Sequence, residues 1–265
     1  MLFQPSDHTF VVCAYKTSPY LEECIASLLN QSVKSNVVIA TSTPNDHIRG
    51  LADKYKLRLY ISSGKSGIAQ DWNHALSKVD TPLATIAHQD DIYLESYTEE
   101  MLSAINSSIE PLIFFSNYGE IRCGGTCDKN KLLRVKRMML SPLKLKGAWR
   151  SKMIRRRILS LGCPICCPSV TYNLSSLERP IFNNRFKGSL DWETWERLSR
   201  RRGSFVYSSK ILMRHRIHLD SETSSLILDN VRSQEDIKML EQFWPAPIAR
   251  LIFKFYRSSQ SSNRM

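Results

Sequence analysis

The chain has 265 residues, of which 42% are hydrophobic and 23% are charged, and its net charge is +12. This length suits one large α/β domain, alone or with an appendage, and the composition excludes an intrinsically disordered or collagen-like protein. The longest uncharged run, residues 158–177, contains two prolines and makes a poor membrane span. Residues 1–9 lack the basic and apolar stretches of a signal peptide, so we expect none.

The seven cysteines predict free thiols, because their number is odd and the chain is long for a disulfide framework. A reducing cytoplasm is the simplest account of such thiols, and we expect a cytoplasmic protein. Zinc binding is the alternative, although the spacing is looser than the two tight pairs of a structural zinc site; the cysteines concerned are Cys123, Cys127, Cys163, Cys166 and Cys167.

The excess positive charge is confined to residues 129–157, here called the basic segment. It contains twelve Lys and Arg residues with no acidic residue between Asp128 and Glu178, whereas the rest of the chain is balanced. A charge localised in this way indicates an anionic partner. Anionic lipid headgroups fit best, because apolar residues such as Trp149 and Met153 interleave the basic ones. A pyrophosphate-bearing molecule, nucleic acid and a merely solvated helix face are the alternatives.

The first 120 residues alternate predicted strands with predicted helices. Short, β-branched apolar runs predict buried strands at residues 10–15, 36–41, 57–61, 83–87 and 112–116. Capping residues and apolar spacing predict helices that begin at Ser18, at Asn45 or Asp46, after the Gly-rich loop 63–67, and at Tyr93. This alternation predicts a parallel, doubly wound sheet.

The pattern changes after residue 120. Short strands are predicted at residues 169–172, 205–207 and 212–217, and helices at residues 190–201, 233–243 and 247–256. The last helix is apolar with basic interruptions, so it is either a second membrane-surface element or a helix packed on the core.

Two adjacent carboxylates, Asp90 and Asp91, directly follow the predicted strand at residues 83–87. Ligands of an open parallel sheet bind outside the carboxyl ends of its strands. Two neighbouring carboxylates repel each other unless a cation or a hydroxyl-rich ligand compensates, and Mg²⁺ or Mn²⁺ held together with phosphate oxygens is the usual solution. The alternative is that one of the pair caps the helix that follows.

Asp191 and His218 are two further candidates for functional residues. Asp191 opens the predicted helix 190–201, where a carboxylate acts as a general base or simply interacts with the helix dipole. His218 follows the last predicted strand and would lie at a loop near the same rim of the sheet, although a lone histidine is more often structural.

In their order along the chain, these pieces resemble glycosyltransferase family 2, the inverting family with the GT-A fold. The resemblance covers residues 10–224 and is carried by four stretches: FVVCAY with YLEECI (10–25), GIAQDWNHAL (67–76), HQDD (88–91) and DWETWERL (191–198). Residues 41–46 depart from the family because they lack the paired acids that usually follow the second strand. His88 stands where the metal motif of the family has its first aspartate.

The resemblance implies an α/β protein with a GT-A type doubly wound, mostly parallel, Rossmann-like sheet and a C-terminal acceptor-side helical region. Residues 1–120 would form the nucleotide-sugar-binding half. Residues 121–228, with the basic segment, would form the acceptor-side and catalytic-base half. Residues 229–265 would form C-terminal helices, with a possible role at a membrane surface.

The resemblance also implies the roles of individual residues. Asp191 would be the catalytic base, and Asp91 with His218 would hold Mn²⁺ or Mg²⁺. The nucleotide and substrate would be bound by Ala14, Tyr15, Ser42, Asp46, Lys65, Asn73 and Asp90.

The resemblance further implies the partners. The donor would be a nucleotide-diphosphate sugar, a UDP- or dTDP-sugar above all, and the acceptor a glycan or a polyprenyl-linked glycan of bacterial cell-surface polysaccharide synthesis. The protein would lie peripherally on the anionic inner face of the cell membrane, and no nucleic-acid partner is expected.

Two other functions remain open from the sequence. A nucleotidyltransferase on a similar sheet would also use a metal and carboxylates, but its first loop is rich in Gly and Arg, unlike residues 15–18. A non-enzymatic protein that binds anionic lipid or nucleic acid would explain the basic segment and leave Asp90, Asp91 and Asp191 without a role.

Overall fold

The computed structural model describes residues 2–64, 66–122, 124–218 and 231–260. The strands in these ranges are β1 (His8–Ala14), β2 (Asn36–Thr41), β3 (Arg58–Ile61), β4 (Leu83–His88), β5 (Ile92–Tyr93), β6 (Pro111–Arg122), β7 (Gly125–Cys127), β8 (Thr171–Asn173) and β9 (Ser204–Ile217). The α-helices are α1 (Leu21–Leu29), α2 (Asp46–Lys54), α3 (Ile68–Ser77), α4 (Tyr97–Asn106), α5 (Lys131–Leu140), α6 (Lys152–Leu159), α7 (Leu190–Ser199), α8 (Val231–Leu240) and α9 (Ala246–Gln260).

The strands form one mixed sheet with the order β3-β2-β1-β4-β8-β6-β9-β5, and β7 pairs with β6 outside this path. Strands β3, β2, β1 and β4 run parallel to one another, as do β6 and β9. The short β8 is inserted antiparallel between β4 and β6. Parallel pairing brings the carboxyl ends of β1, β2 and β4 to one rim of the sheet, as the alternating pattern predicts.

The apolar run of β1 explains its central position in the sheet. Phe10, Val11 and Val12 have no exposed surface, because β2 and β4 flank the strand and both of its faces are covered. Removing an apolar side chain of this size from water contributes about 1.5–3 kcal/mol. A continuous apolar strand is therefore stable only in the interior of the sheet, which fixes where the carboxyl end of β1 lies.

Two predicted helix starts are wrong. Ser18 does not cap α1, which begins at Leu21; the Ser18 hydroxyl instead donates to Asp90 Oδ1 at 2.6 Å. Residues Ile92 and Tyr93 form β5 rather than the first turn of a helix, and α4 begins at Tyr97. The Tyr93 hydroxyl donates to the Pro168 carbonyl at 2.6 Å, so a buried tertiary hydrogen bond outweighs the local helical spacing.

The two strands predicted at residues 205–207 and 212–217 are one strand, β9. Its register against β6 shifts between Ser116 and Asn117, and the exposed residues Ser209 and Lys210 accommodate the shift as a bulge. The Asn117 side chain donates to the Ser209 carbonyl at 2.7 Å and holds the bulge in place. The sequence shows the bulge as a polar interruption, which resembles a turn between two strands.

Part of the basic segment is structural, which corrects the expectation that the segment as a whole meets an anionic partner. Arg155 on α6 has no exposed surface and donates to the carbonyls of Gly203 and Arg201 at 2.9 and 2.6 Å. Its neighbour Arg156 pairs with the buried Glu196 on α7. These two arginines tie α6 to the turn after α7, so they are not available to a partner.

The predicted boundary after residue 120 falls inside β6, and β8 and β9 join the same sheet as β1 to β4. Within the described ranges, no helix is long and apolar enough to cross a membrane. The thiols described by the structure are all free, and Cys123 lies outside the described residues.

Candidate active site

A cleft of about 900 Å³ opens at the rim where β1, β2 and β4 end. The cleft is lined by the ends of these strands, the start of α3, the end of β9, the start of α7 and residues of the stretch 163–168. The cleft therefore joins the two halves of the chain that the sequence distinguishes.

Four predicted nucleotide-binding residues line the cleft, namely Ala14, Tyr15, Ser42 and Asp90. The backbone at the end of β1 is fixed by Gln89, whose side chain accepts from Tyr15 N at 2.9 Å and donates to Tyr15 O at 3.0 Å. This pair of hydrogen bonds links the carboxyl end of β1 to the residue after β4. The exposed ring of Tyr15 is thus presented on a rigid turn.

Asp71 is a cleft residue that the sequence analysis missed. It lies in the first turn of α3, and its Oδ2 accepts from the hydroxyls of Ser42 and Ser66 at 3.0 and 3.4 Å. Its Oδ1 is buried without a hydrogen-bond partner. The sequence offered one signal for Asp71. Residues 41–46 lack the acid pair usual in the family, and Asp71 brings a carboxylate to the hydroxyl of Ser42 in that loop.

Two other predicted binding residues lie outside the cleft, and a third is not among the described residues. Asp46 is exposed at the start of α2 and does not line the cleft. Asn73 uses its side-chain amide to bind the backbone of Phe182, donating at 2.8 Å and accepting at 3.0 Å, so it ties α3 to residue 182 and stays out of the cleft. Lys65 lies outside the described residues.

Asp90 faces a set of polar partners at the end of β4. Its Oδ1 accepts from the Ser18 hydroxyl at 2.6 Å, and its Oδ2 lies 3.2 Å from His218 Nε2. The ring of His218 packs on Tyr20, with 5.3 Å between the ring centroids. The structure thus pairs His218 with Asp90 rather than with Asp91, the partner named for it in the predicted metal site.

Asp91 is buried behind Asp90, and its side-chain Oδ1 accepts from His215 Nδ1 at 3.0 Å and from Arg216 N at 2.9 Å. Burial alone raises the pKa of the Asp91 carboxyl, but the charge and hydrogen bond of His215 outweigh it and hold the pKa below its usual value. Burial lowers the pKa of His215, but the charge and hydrogen bond of Asp91 raise it more, so the net pKa lies above its ordinary value. The hydrogen bond between the two side chains therefore favours the charged form of each.

The residues at this rim fit a divalent cation that takes further ligands from phosphate and water. Asp91 Oδ2 is buried in the lining of the cleft with no hydrogen-bond partner, which leaves a carboxylate oxygen available as a ligand. Among the described residues, no group of three or more His, Cys, Asp or Glu side chains is placed to hold a metal by itself. Mg²⁺ in such sites is commonly held by one or two carboxylates together with substrate phosphates.

Asp191 also lines the cleft. Its Oδ1 accepts from Trp192 N at 2.7 Å, while Oδ2 has the Cys163 thiol at 3.8 Å as a weak donor. Helix α7 is anchored by the buried Trp192, whose Nε1 donates to the Leu159 carbonyl at 3.0 Å, and by the buried Trp195. A half-buried carboxylate on a rigid helix, with one weakly engaged oxygen, suits a general base.

Two buried carboxylates of α8 hold the turn that precedes α7. Glu235 accepts from three successive backbone N–H groups, those of Lys187, Gly188 and Ser189, at 2.9, 2.7 and 2.9 Å. Its neighbour Asp236 accepts from the Ser189 hydroxyl at 2.7 Å. The first residue of α7 follows Ser189, so α8 fixes the turn from which Asp191 projects.

Replacing Glu235 by glutamine should lower turnover about 10- to 100-fold, because a displacement of about 1 Å at a reacting group costs that much. The glutamine amide has one acceptor oxygen, so at least one of the three N–H groups loses its partner. Donor affinity should stay the same, since Glu235 does not line the cleft. Steady-state kinetics and calorimetry would measure the two effects separately.

The matched control is Glu241→Gln, which changes an exposed carboxylate just beyond the end of α8. Equal turnover in the two variants would show that Glu235 does not position Asp191.

A mixed sheet of this order, with acids after β4 and a carboxylate at the start of α7, defines the GT-A class of transferase folds. The chain belongs to glycosyl transferase family 2, whose sequence profile matches residues 9–172. The family assignment made from sequence is confirmed. A search of curated proteins finds no match.

Three solved structures illustrate the likeness in fold. The structure of S. aureus TarS 1–349 with UDP-GlcNAc has a TM-score of 0.60 at 16% identity and covers 96% of this chain and 72% of that one. The mannosyltransferase PcManGT from Pyrobaculum calidifontis, with GDP-Man and Mn²⁺, has a TM-score of 0.62 at 15% identity. The match covers 94% of this chain and 69% of that one. Glucosyl-3-phosphoglycerate synthase from Mycobacterium tuberculosis, with Mn²⁺, UDP and glucosyl-3-phosphoglycerate, has a TM-score of 0.56 at 16% identity. The match covers 88% of this chain and 78% of that one. The predicted GT-A fold class is confirmed.

Proposed function

We propose that the protein transfers a sugar from a nucleotide-diphosphate sugar to a hydroxyl group of an acceptor, with inversion at the anomeric carbon. One observation carries the proposal: Asp90 and Asp91 after β4 and Asp191 on α7 line the same cleft. A donor diphosphate beside Asp90 and Asp91 and an acceptor hydroxyl beside Asp191 would meet in that cleft. The nucleotide ligands of TarS and PcManGT support this class of donor.

The nucleotide would bind on the wall formed by Ala14, Tyr15, Ser42 and Asp71. The Asp71 carboxylate, already bonded to Ser42, would accept from the base or the ribose in place of the acids missing from residues 41–46. Asp90 would lie near the ribose. UDP- and dTDP-sugars are the donors we favour.

Mn²⁺ or Mg²⁺ would be held by Asp91, with His218 and Asp90 beside it. Such an ion would neutralise the charge that develops on the departing diphosphate. His215 donates to Asp91 Oδ1 and orients this carboxylate, whose buried Oδ2 has no hydrogen-bond partner.

Asp191 would take the proton of the acceptor hydroxyl as its oxygen bonds to the anomeric carbon. The bond from that carbon to the diphosphate oxygen breaks, and the electron pair leaves with the nucleoside diphosphate. Attack from the face of that carbon opposite the diphosphate would invert its configuration.

The acceptor we propose is a glycan or a polyprenyl-linked glycan of bacterial cell-surface polysaccharide synthesis, used at the inner face of the cell membrane. The acid-free basic segment supports an anionic acceptor environment. Lys136 is the basic side chain of that segment that lines the cleft, where it donates to the Tyr118 hydroxyl at 3.0 Å. A phosphate on the acceptor would find a cation there.

Calorimetric titration with UDP, dTDP and GDP, each with and without Mn²⁺, tests the proposal. We expect one diphosphate to bind with a metal-dependent gain in affinity, and its sugar conjugate to release that diphosphate when an acceptor is present. Release of pyrophosphate from a nucleoside triphosphate, or the absence of binding by every nucleotide, would overturn it.

A further inference from the structure

Exposed apolar side chains are concentrated in two stretches of the chain. Eight of the twelve large hydrophobic side chains that the structure shows as exposed lie in residues 131–161 or in α9; they are Val135, Met138, Leu145, Met153, Leu161, Ile248, Leu251 and Phe255. Met153 is 77% exposed and Leu145 is 73% exposed. Large apolar side chains exposed together mark an interaction surface.

The same two stretches lack acidic residues. None occurs between Asp128 and Glu178, and none occurs after Glu241. Basic side chains are exposed beside the apolar ones; they are Lys131, Arg134, Lys144, Lys146, Arg150, Lys152, Arg157, Arg250 and Lys254. The partner of this surface must therefore be both apolar and anionic.

Helix α9 shows this combination most clearly. Ala249 and Phe253 are buried against the protein, whereas Ile248, Leu251 and Phe255 are exposed. The spacing of the exposed residues, three and then four positions apart, aligns them in a stripe along one face of the helix. The stripe runs from Ile248 to Phe255, which is about 10 Å along the axis of the helix.

The two stretches adjoin where α6 ends and α9 begins. Trp244 Nε1 donates to the Ser160 carbonyl at 2.7 Å, and the guanidinium of Arg157 lies 5.1 Å from the centre of the Trp244 ring. The guanidinium of Arg156 lies 5.0 Å from the ring of Phe243. These contacts join the two stretches, so the exposed residues Met153 and Leu161 of the first stretch lie on elements packed against the start of the second stretch, which carries Ile248.

We propose that α9, α6 and residues 141–150 form a docking surface for an anionic lipid bilayer. The apolar side chains enter the boundary between headgroups and acyl chains, and the basic side chains contact lipid phosphates. A nucleic acid would use the positive charge but would leave this apolar area in water. The surface deepens the proposed function, because it would hold the cleft beside lipid-linked acceptors, but its lipid binding requires no catalysis.

Sedimentation with vesicles of phosphatidylcholine alone, or with phosphatidylglycerol added, tests the surface on the full chain. We expect binding to the anionic vesicles that falls as salt is raised, since charges are screened over about 8 Å at physiological ionic strength. The triple variant Lys152→Gln, Arg250→Gln, Lys254→Gln should bind anionic vesicles about 100-fold more weakly. The double variant Met153→Gln, Leu251→Gln should lose at least about tenfold.

Matched controls change the same chemistry on other parts of the surface. Arg49→Gln with Lys56→Gln and Lys78→Gln removes three exposed charges, and Leu2→Gln with Ile109→Gln removes two exposed apolar side chains. All variants should keep the wild-type unfolding temperature and metal-dependent nucleotide binding. Equal losses in variants and controls, or equal partitioning of the wild type onto neutral and anionic vesicles, would overturn the surface.

The outcomes separate this surface from the proposed function. Metal-dependent nucleotide binding without vesicle binding would leave the function standing and overturn the surface. Vesicle binding without any nucleotide binding would overturn the proposed function and leave the docking surface standing. A triple variant that loses binding to duplex DNA or RNA and keeps vesicle binding would assign the charge to nucleic acid and overturn the proposal.

Discussion

Asp191→Asn should lower kcat by about 10²–10⁴, the range of general acid–base catalysis, while donor affinity stays unchanged. Asparagine keeps the size of the side chain and the acceptor for Trp192 N, but it cannot take a proton from the acceptor hydroxyl. The effect appears in kcat because the interaction is made mainly in the transition state. Steady-state kinetics with the donor identified by calorimetry would measure turnover, and slow donor hydrolysis serves as a proxy without an acceptor.

The control for this prediction is Glu193→Gln on the same helix. Glu193 is buried, accepts from the Asn183 side chain at 3.0 Å, lies 3.7 Å from Arg197 Nε and does not line the cleft. The substitution Glu193→Gln should therefore lower the free energy of unfolding and have little effect on turnover. Wild-type turnover in Asp191→Asn together with an inactive Glu193→Gln would identify Glu193 as the base. Full activity in both would make α7 purely structural.

Asp91→Asn should abolish the metal-dependent part of donor binding, because it removes the charged oxygen that we propose as a metal ligand. The side chain is 1% exposed and pairs with His215, so the variant should also be less stable than the wild type. The pKa of His215, which Asp91 raises, should fall in the variant. Calorimetry with and without Mn²⁺ and an NMR titration of His215 would measure the two effects.

A matched control for Asp91→Asn is Asp128→Asn. Asp128 pairs with Arg214, the residue before His215, at 3.0 Å and does not line the cleft. The control should keep Mn²⁺-dependent donor binding and the raised pKa of His215. Thermal unfolding would establish that both variants are folded at the temperature of the titration. Unchanged Mn²⁺-dependent binding by folded Asp91→Asn would move the proposed metal ligand to another residue.

The fold of the first half was predictable because its signals are local. The apolar run of β1, the Asn45 cap of α2 and the acids after β4 each lie within a few consecutive residues. Of the two predicted candidates, Asn45 and Asp46, it is Asn45 that caps α2, accepting from Ile48 N at 3.0 Å. The ends of β5, α4 and β9 were not predictable in the same way, because hydrogen bonds such as that from Tyr93 to Pro168 decide them.

By itself, the sequence determined the class of sheet, the rim where ligands bind and the placing of Asp90, Asp91 and Asp191 at element ends. Only the tertiary structure decided which side chains meet there. His215 is bound to Asp91 across 124 positions, and Glu235 holds the turn before α7 from 46 to 48 positions away. A sequence shows the type of a residue and its local periodicity, whereas the contacts of a buried charge depend on strands and helices distant in the chain. For the same reason, the sequence showed the charge of Arg155 but not its burial.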